Sequence, residues 1–452
     1  MRKRSGARKT PSLPIRMPDG AHALPSRLDC LTGLRFFAAF GVFIHHFTGF
    51  GSQTGHGTAP LIFPYSQMAA HGVTFFFVLS GFLLTWVHKP QERAGAFYWR
   101  RVARIWPATL VAAVPAILVF YVMGDVRPNW GSLLASIFLV QTWLPHAHPT
   151  LPGNPVTWTL SVELFFYALF PFVARRIAKV STRYLVLATA MGLLAMAAID
   201  HLAGVNFQAL ASWVARTPVF HLPEFLVGIT LALALKRGWR IPLYPSVPVI
   251  ALCAYTYVYY QLQASLPAYW ERQLGYTVRP TIAVLAALII LAFAQREIDG
   301  HRGLLASRIL VSLGVWSYGF YLLHQTVIRW ATNEFGRLAD NNDALFGLLG
   351  MALVVTGLSW AMYRFVEEPA NRWLMRRMPP SLRRPRRSTP DQQVAAAPGA
   401  PPGGSGVSVT EGLLIGNGLR MSVFRRFLHK MSMCPRARAG YECTGQSGRC
   451  TS

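Results

Sequence analysis

The feature that most restricts this chain is a succession of apolar stretches, most of them near the length that crosses a lipid interior, joined by short polar segments. They fall at 31–50, 73–87, 105–123, 159–174, 184–199, 219–235, 247–262, 281–294, 309–328 and 345–363. A helix rises 1.5 Å per residue, so about twenty apolar residues span the roughly 30 Å of a bilayer interior. Ten such stretches leave little chain for a separate soluble domain. Only 14% of the residues are charged, against about 25% in an ordinary soluble domain. The chain reads as an all-α integral membrane protein with about ten transmembrane helices.

The formal charge of +26 could suggest a nucleic-acid partner, but its placement argues against one. Lys and Arg gather in the cytosolic loops of membrane proteins, so basic-rich and basic-poor loops should alternate. The rich segments hold 22 such residues and the intervening ones 5, namely Arg127, Arg216, Arg272, Arg279 and Arg337; the C-terminal segment adds 15 more. This alternation predicts both termini in the cytosol and no nucleic-acid binding. It also treats 132–144, apolar but short, as a re-entrant or interfacial piece. Counted as a full crossing, that piece would place Arg175, Arg176 and Lys179 outside.

Three regions follow: a basic cytosolic arm at 1–28, a membrane domain at 29–377 and a disordered basic cytosolic tail at 378–452. The tail is rich in Pro, Arg, Ala and Gly, which bury too little apolar surface to fold; within it, 413–433 has the pattern of a basic surface helix. No cleavable signal is read, since the first apolar stretch is a full span behind a basic arm. Cys30, Cys253, Cys434, Cys443 and Cys450 show no CxxC spacing, so no metal site or disulfide framework is expected.

Ionisable groups at membrane depth are costly, so each is a candidate functional residue. The first span, LDCLTGLRFFAAFGVFIHHF, carries Arg35 and His46. Eleven residues make three turns, which places both on one helix face roughly 16 Å apart; His45 points about 100° away. After the second span, YWRRVARIWP sets Arg101 and Arg104 on one face where a helix enters the membrane, a fork suited to phosphates or to ordinary membrane anchoring. The fourth span opens TWTLSVELFFYALFP, with Glu163 inside an apolar helix and Tyr167 one turn on; Arg35 is its economical partner and His46 the second. The ninth span, SYGFYLLHQ, puts Ser317, Tyr321 and His324 on one face. His221 and Glu224 open the sixth. Glu367 and Glu368 at the last span's end read as structural partners for nearby arginines. Ser80–Gly81 lacks the surroundings of a serine nucleophile and reads as a small pair permitting close helix packing.

Together LDCLTGLRFF…HH, FFFVLSGFLL, YWRRVARIWP, WTLSVELFFYALFP, SYGFYLLH and YRFVEEPANRW resemble, in this order, the membrane acyltransferase-3 family of bacterial surface-polysaccharide O-acyltransferases. They cover about residues 28–375, and the combination is far more specific than any one of them. The resemblance implies a multi-pass enzyme of the bacterial inner membrane in its stand-alone form. It would move an acyl group, expected to be acetyl, from acyl-coenzyme A without a metal. The acceptor would be a carbohydrate or glycolipid, with membrane lipid and glycan-biosynthesis proteins as neighbours. The family's histidine motif falls on Arg35 and His46, its RxxR element on Arg101 and Arg104, and its SVE element on Ser161–Glu163. Thr32 departs from a basic residue frequent there.

The mechanism expected from these residues has His46 as general base toward an acceptor hydroxyl, with Arg35 and Glu163 orienting the site and Arg101 and Arg104 holding the coenzyme A phosphates. His45, Ser317, Tyr321, His324, His221 and Glu224 are further candidates for polar lining. A covalent acyl-His46 intermediate is the variant of this chemistry. A transporter or flippase of a glycolipid or small metabolite is the rival class, and a non-catalytic partner in a biosynthetic complex the third. A transporter would usually break helices with Gly or Pro in matching positions of two halves, a pattern this sequence lacks.

Overall fold

The computed structural model describes residues 24–49, 63–89, 91–144, 152–206, 213–336, 338 and 341–382. The arm at 1–23 and the tail from 383 on, with Cys434, Cys443, Cys450 and the 413–433 pattern, lie outside the described residues. Each apolar stretch becomes a helix. In chain order these are α1 (Asp29–Thr48), α2 (Phe63–Ala69), α3 (Gly72–Val87), α4 (Ala94–Ile117), α5 (Trp130–Ile137), α6 (Trp158–Ile177) and α7 (Thr182–Asn206). They continue with α8 (Leu222–Lys236), α9 (Ser246–Ser265), α10 (Ala268–Ile298), α11 (Arg308–Phe335), α12 (Asn341–Met362) and α13 (Glu368–Arg376). Among the described residues no strand is present.

Among the described residues, eight helical segments are long and apolar enough to cross a membrane. Helices α9 and α11, of 20 and 28 residues, have the length but dilute their apolar character with polar side chains. Large apolar residues face outward around the bundle, among them Val122, Phe172, Leu194 and Leu353, the last 74% exposed. A protein in water would rarely show so much contiguous apolar surface; hydrocarbon removes the cost.

The short stretch at 132–144 does not cross. Helix α5 has eight residues, about 12 Å at 1.5 Å each. The chain then reverses at Leu139, which adopts φ 59, a left-handed conformation uncommon for a side chain of this kind. Complete burial of Leu139 against the core offsets that strain. A 3-10 turn at Gln141–Trp143 follows and is fastened to the start of α6: Gln141 Nε2 donates to Thr157 Oγ1 at 3.2 Å, and the Thr142 and Ser161 hydroxyls meet at 2.6 Å.

Close approach of helices depends on small residues. A Cβ built on Gly81 of α3 would lie 2.1 Å from the Phe225 carbonyl oxygen of α8, and one on Gly228 would lie 1.9 Å from that of Val78. Gly81 therefore permits the close packing that its sequence context suggests, whereas Ser80 beside it departs from that reading and donates to Glu163 of α6. Gly314 of α11 meets the Thr32 carbonyl of α1 in the same way, at 1.8 Å. Without side chains between them the backbones touch, the usual route to tight association where lipid offers no hydrophobic drive. Aromatic rings fill the rest of the core, with Phe166 and Phe225 stacked at 4.3 Å and Phe320 edge-on to Phe43 at 5.6 Å.

One end of the bundle collects the basic loops and ties them together. Lys236 Nζ donates to the Thr85 carbonyl at 2.7 Å, and Arg237 Nη2 to those of Ala178 and Val180. The Glu297 carboxylate accepts from the backbone N–H groups of Asp29 and Cys30, at 2.7 and 2.8 Å. Helix α1 has no side-chain cap of its own, so the last turn of α10 supplies acceptors for two of its orphan donors.

Candidate active site

A cavity of about 310 Å³ opens inside the bundle among α1, α3, α4, α6 and α11. Its lining includes Arg35, Ser80, Arg101, Arg104, Thr159, Glu163, Tyr167, Ser317, Tyr318 and Tyr321. Four residues singled out in the sequence by charge at membrane depth or by the arginine fork thus converge on one space from three helices. Helix periodicity accounts for the pairs on α4 and on α11; the convergence itself comes from packing.

Glu163 takes its hydrogen bonds from hydroxyls: Tyr167, one turn along α6, donates to Oε1, and Ser80 donates to the same oxygen from 3.5 Å. Arg35 faces the cavity within electrostatic reach of Glu163 and Arg104, yet forms no ion pair with Glu163 within 4.0 Å. The direct Arg35–Glu163 pairing expected from the sequence is replaced by contacts of Glu163 with Tyr167 and Ser80.

The guanidinium of Arg101 lies over the rings of Phe97 and Tyr167, at 5.3 Å from each, and its Nε is buried with no hydrogen-bond partner. Arg104 stands over Tyr318 at 5.9 Å and pairs with Glu367 at 3.4 Å. Glu367 sits in a π-helical turn, Tyr363–Glu367, at the end of α12. Such single-turn widenings recur at functional sites; here the widening accompanies a buried carboxylate against Arg104. Glu368 pairs with Arg372 along the helix. Beyond Arg101 a second hollow of about 720 Å³ adjoins the first, sharing Leu84, Val87 and Arg101 and lined by Lys89, Arg93 and Arg100.

His46 lies past the other end of the cavity. Its Nδ1 is 3.0 Å from the Val42 carbonyl oxygen and 3.0 Å from His324 Nε2. His324 is fully buried, and its Nδ1 is 2.7 Å from the Tyr321 carbonyl oxygen. Tyr321 belongs to both regions: its ring lines the cavity, while its hydroxyl meets Thr159 at 3.0 Å and Val156 O at 3.3 Å. Val42 and Val156 are buried in one apolar cluster with Tyr321, and Val73 packs against it. Ser317 donates to the Gly314 carbonyl at 2.8 Å. The buried Nδ1 of His45 has no hydrogen-bond partner.

His221 and Glu224 stand elsewhere and do not line the cavity. They bond each other at 2.7 Å, with Thr74 donating to Glu224 at 2.7 Å and the Ala215 carbonyl 3.0 Å from His221 Nε2. A completed network of this kind serves α3–α8 packing. The SVE element likewise divides: Glu163 faces the cavity, whereas Ser161 is bound to Thr142. Tyr318 was not among the residues the spacing of Ser317, Tyr321 and His324 selects, yet it lines the cavity and meets the Thr109 hydroxyl at 2.8 Å. Its position three residues before Tyr321 is the signal that would find it. Among the described residues no group of three or more His, Cys, Asp or Glu is arranged to hold a metal ion.

Comparison with known proteins gives this geometry a context. A family model described as an acyltransferase domain matches residues 28–364. The acyltransferase MdmB of Streptomyces mycarofaciens is 33% identical over 386 residues, covering 78% of this chain and 94% of that protein. The O-acetyltransferase OatA of Staphylococcus aureus is 23% identical over 367 residues, covering 76% of this chain and 57% of its own length. YrhL of Bacillus subtilis, named for peptidoglycan O-acetylation, is 26% identical over 378 residues, 75% of this chain and 54% of its own length. The chain thus spans little more than half of the last two. No solved structure matches. The match runs from the first span through the last and takes in every residue of the cavity: the chain belongs to the membrane acyltransferase-3 family and is an O-acyltransferase.

Proposed function

We propose that the protein transfers an acyl group, expected to be acetyl, from acyl-coenzyme A to a hydroxyl of a cell-surface or lipid-linked saccharide, with His46 as general base, in the bacterial inner membrane. The observation that carries this reading is the alignment along α1: an arginine-lined cavity at the basic end, then His46 with His324 about 16 Å farther along the same helix face. A donor with a polyanionic head and a long flexible arm suits that separation. Arg101 and Arg104, with the basic hollow beside them, would hold the phosphates, and Arg35 and Glu163 would orient the arm. The thioester would reach His46 past Tyr321.

In the transfer the acceptor oxygen attacks the thioester carbonyl as its proton passes to His46. The C–S bond breaks, and the proton goes on to the departing thiolate, so the products are an ester and free coenzyme A. The saccharide acceptor is supported by the name that YrhL carries, and the acetyl group by the name of OatA. Membranes containing the protein, incubated with radiolabelled acetyl-coenzyme A and envelope glycans of the same strain, test it. Base-labile label on glycan, lost in His46→Ala and Arg35→Ala, is the expected result. Label transfer by inserted His46→Ala at the wild-type rate would overturn the assignment of the base.

A further inference from the structure

We propose that His324 is a positioning residue that holds His46 in the tautomer with its proton on Nδ1, leaving Nε2 bare as the basic atom. The proposal rests on His46 being the general base; the tautomer itself follows from the contacts of the two rings. Peptide carbonyls only accept hydrogen bonds. The Tyr321 carbonyl lies 2.7 Å from His324 Nδ1, so that nitrogen carries a proton. Neutral His324 then presents a lone pair at Nε2, 3.0 Å from His46 Nδ1. The Val42 carbonyl, 3.0 Å from the same atom, is also an acceptor. Both neighbours of His46 Nδ1 require a proton there. Only Nδ1–H on both rings satisfies all three contacts.

Val42 alone would be a poor guide. It lies one turn back on the same helix, where its carbonyl already faces the main-chain N–H of His46 in the helical ladder. His324 brings an unused lone pair from another helix and is itself locked, fully buried with Phe43 edge-on at 6.5 Å. As Nε2 takes the acceptor's proton, His46 becomes an imidazolium and its Nδ1–H becomes a charge-assisted donor. The contact with His324 is therefore stronger in the transition state than before it, the condition for raising kcat rather than binding.

Nitrogen-15 NMR of the purified full chain with labelled histidine reads the tautomer directly, with His46 assigned by its loss in His46→Asn. The wild type should show a protonated Nδ1 and a bare Nε2. His324→Leu should mix the two tautomers and lower kcat on the order of 100-fold, with the KM for acetyl-coenzyme A within twofold. His324→Gln, whose side-chain oxygen can accept where Nε2 stood, should keep Nδ1–H and regain at least tenfold over leucine. A wild-type proton on Nε2 overturns the proposal without any variant, and so does a glutamine variant no better than leucine. Absence of acyl transfer by the wild type, with the tautomer as described, would instead count against the general-base reading alone.

Discussion

Glu163 is a carboxylate set among apolar side chains and held by two hydroxyls, those of Tyr167 and Ser80. Replacing it with glutamine keeps the shape and removes the charge facing Arg35. Glu163→Gln should lower acyl transfer by about tenfold or more, since a hydrogen bond to a charged group contributes roughly 1.5–3 kcal/mol; Tyr167→Phe should cost less, and initial rates with labelled donor will rank the two. At the basic end His88 has both ring nitrogens buried without a partner. Burial, then the charges of Lys236 and Arg175, hold its pKa below the ordinary value. The folded state thus binds its proton less readily than the unfolded chain, so stability is intact above about pH 6.5 and falls as the pH drops below it. His88→Gln should flatten the decline of Tm between pH 6.5 and 5. The helical period reads Arg35 and His46 onto one face because that is a property of a single helix. The His46–His324 contact joins residues 278 apart, and no local period carries it. The replacement of an Arg35–Glu163 pair by two hydroxyls escaped the sequence for the same reason: it depends on where three helices stop approaching one another.

Between helices the decisive quantity is the space a single Cβ would need. Gly228→Val should prevent assembly of α3 against α8, read as loss of monodisperse protein in detergent, because its Cβ would fall within 2 Å of the Val78 carbonyl. Gly350→Ala on α12, with nothing within 4 Å, is the matched control and should be neutral or slightly stabilising. Helix α4 shows a second dependence. Pro107 has no N–H, which leaves the Ala103 carbonyl without its intrahelical donor; Asn371 of α13 donates to it instead, at 3.3 Å. Asn371→Leu should lower Tm by the few degrees that loss of about 1 kcal/mol implies. All ten apolar stretches read as helices, since twenty apolar residues in lipid have no other way to satisfy their backbone. The π turn at Tyr363–Glu367 and the reversal at Leu139 were not legible, because each is a local exception held in place by tertiary contacts.

Across the described bundle, polarity runs from one end to the other: arginines and the hollow of about 720 Å³ at the basic end, the histidine pair toward the opposite one. If the basic end faces the cytosol, sealed inside-out vesicles should use acetyl-coenzyme A added outside, and right-side-out vesicles should not; equal rates in both would contradict the orientation. The Glu297 clasp on α1 has a further meaning when the chain is considered in time. Helix α1 starts with two backbone donors whose acceptor is encoded 268 and 267 residues later. At a synthesis rate of roughly 5–20 residues per second, that start waits on the order of tens of seconds for its partner. Maturation of α1 is therefore a late event in biogenesis, and nascent chains halted before residue 297 should remain open to protease at Asp29 while chains long enough to release Glu297 from the ribosome close.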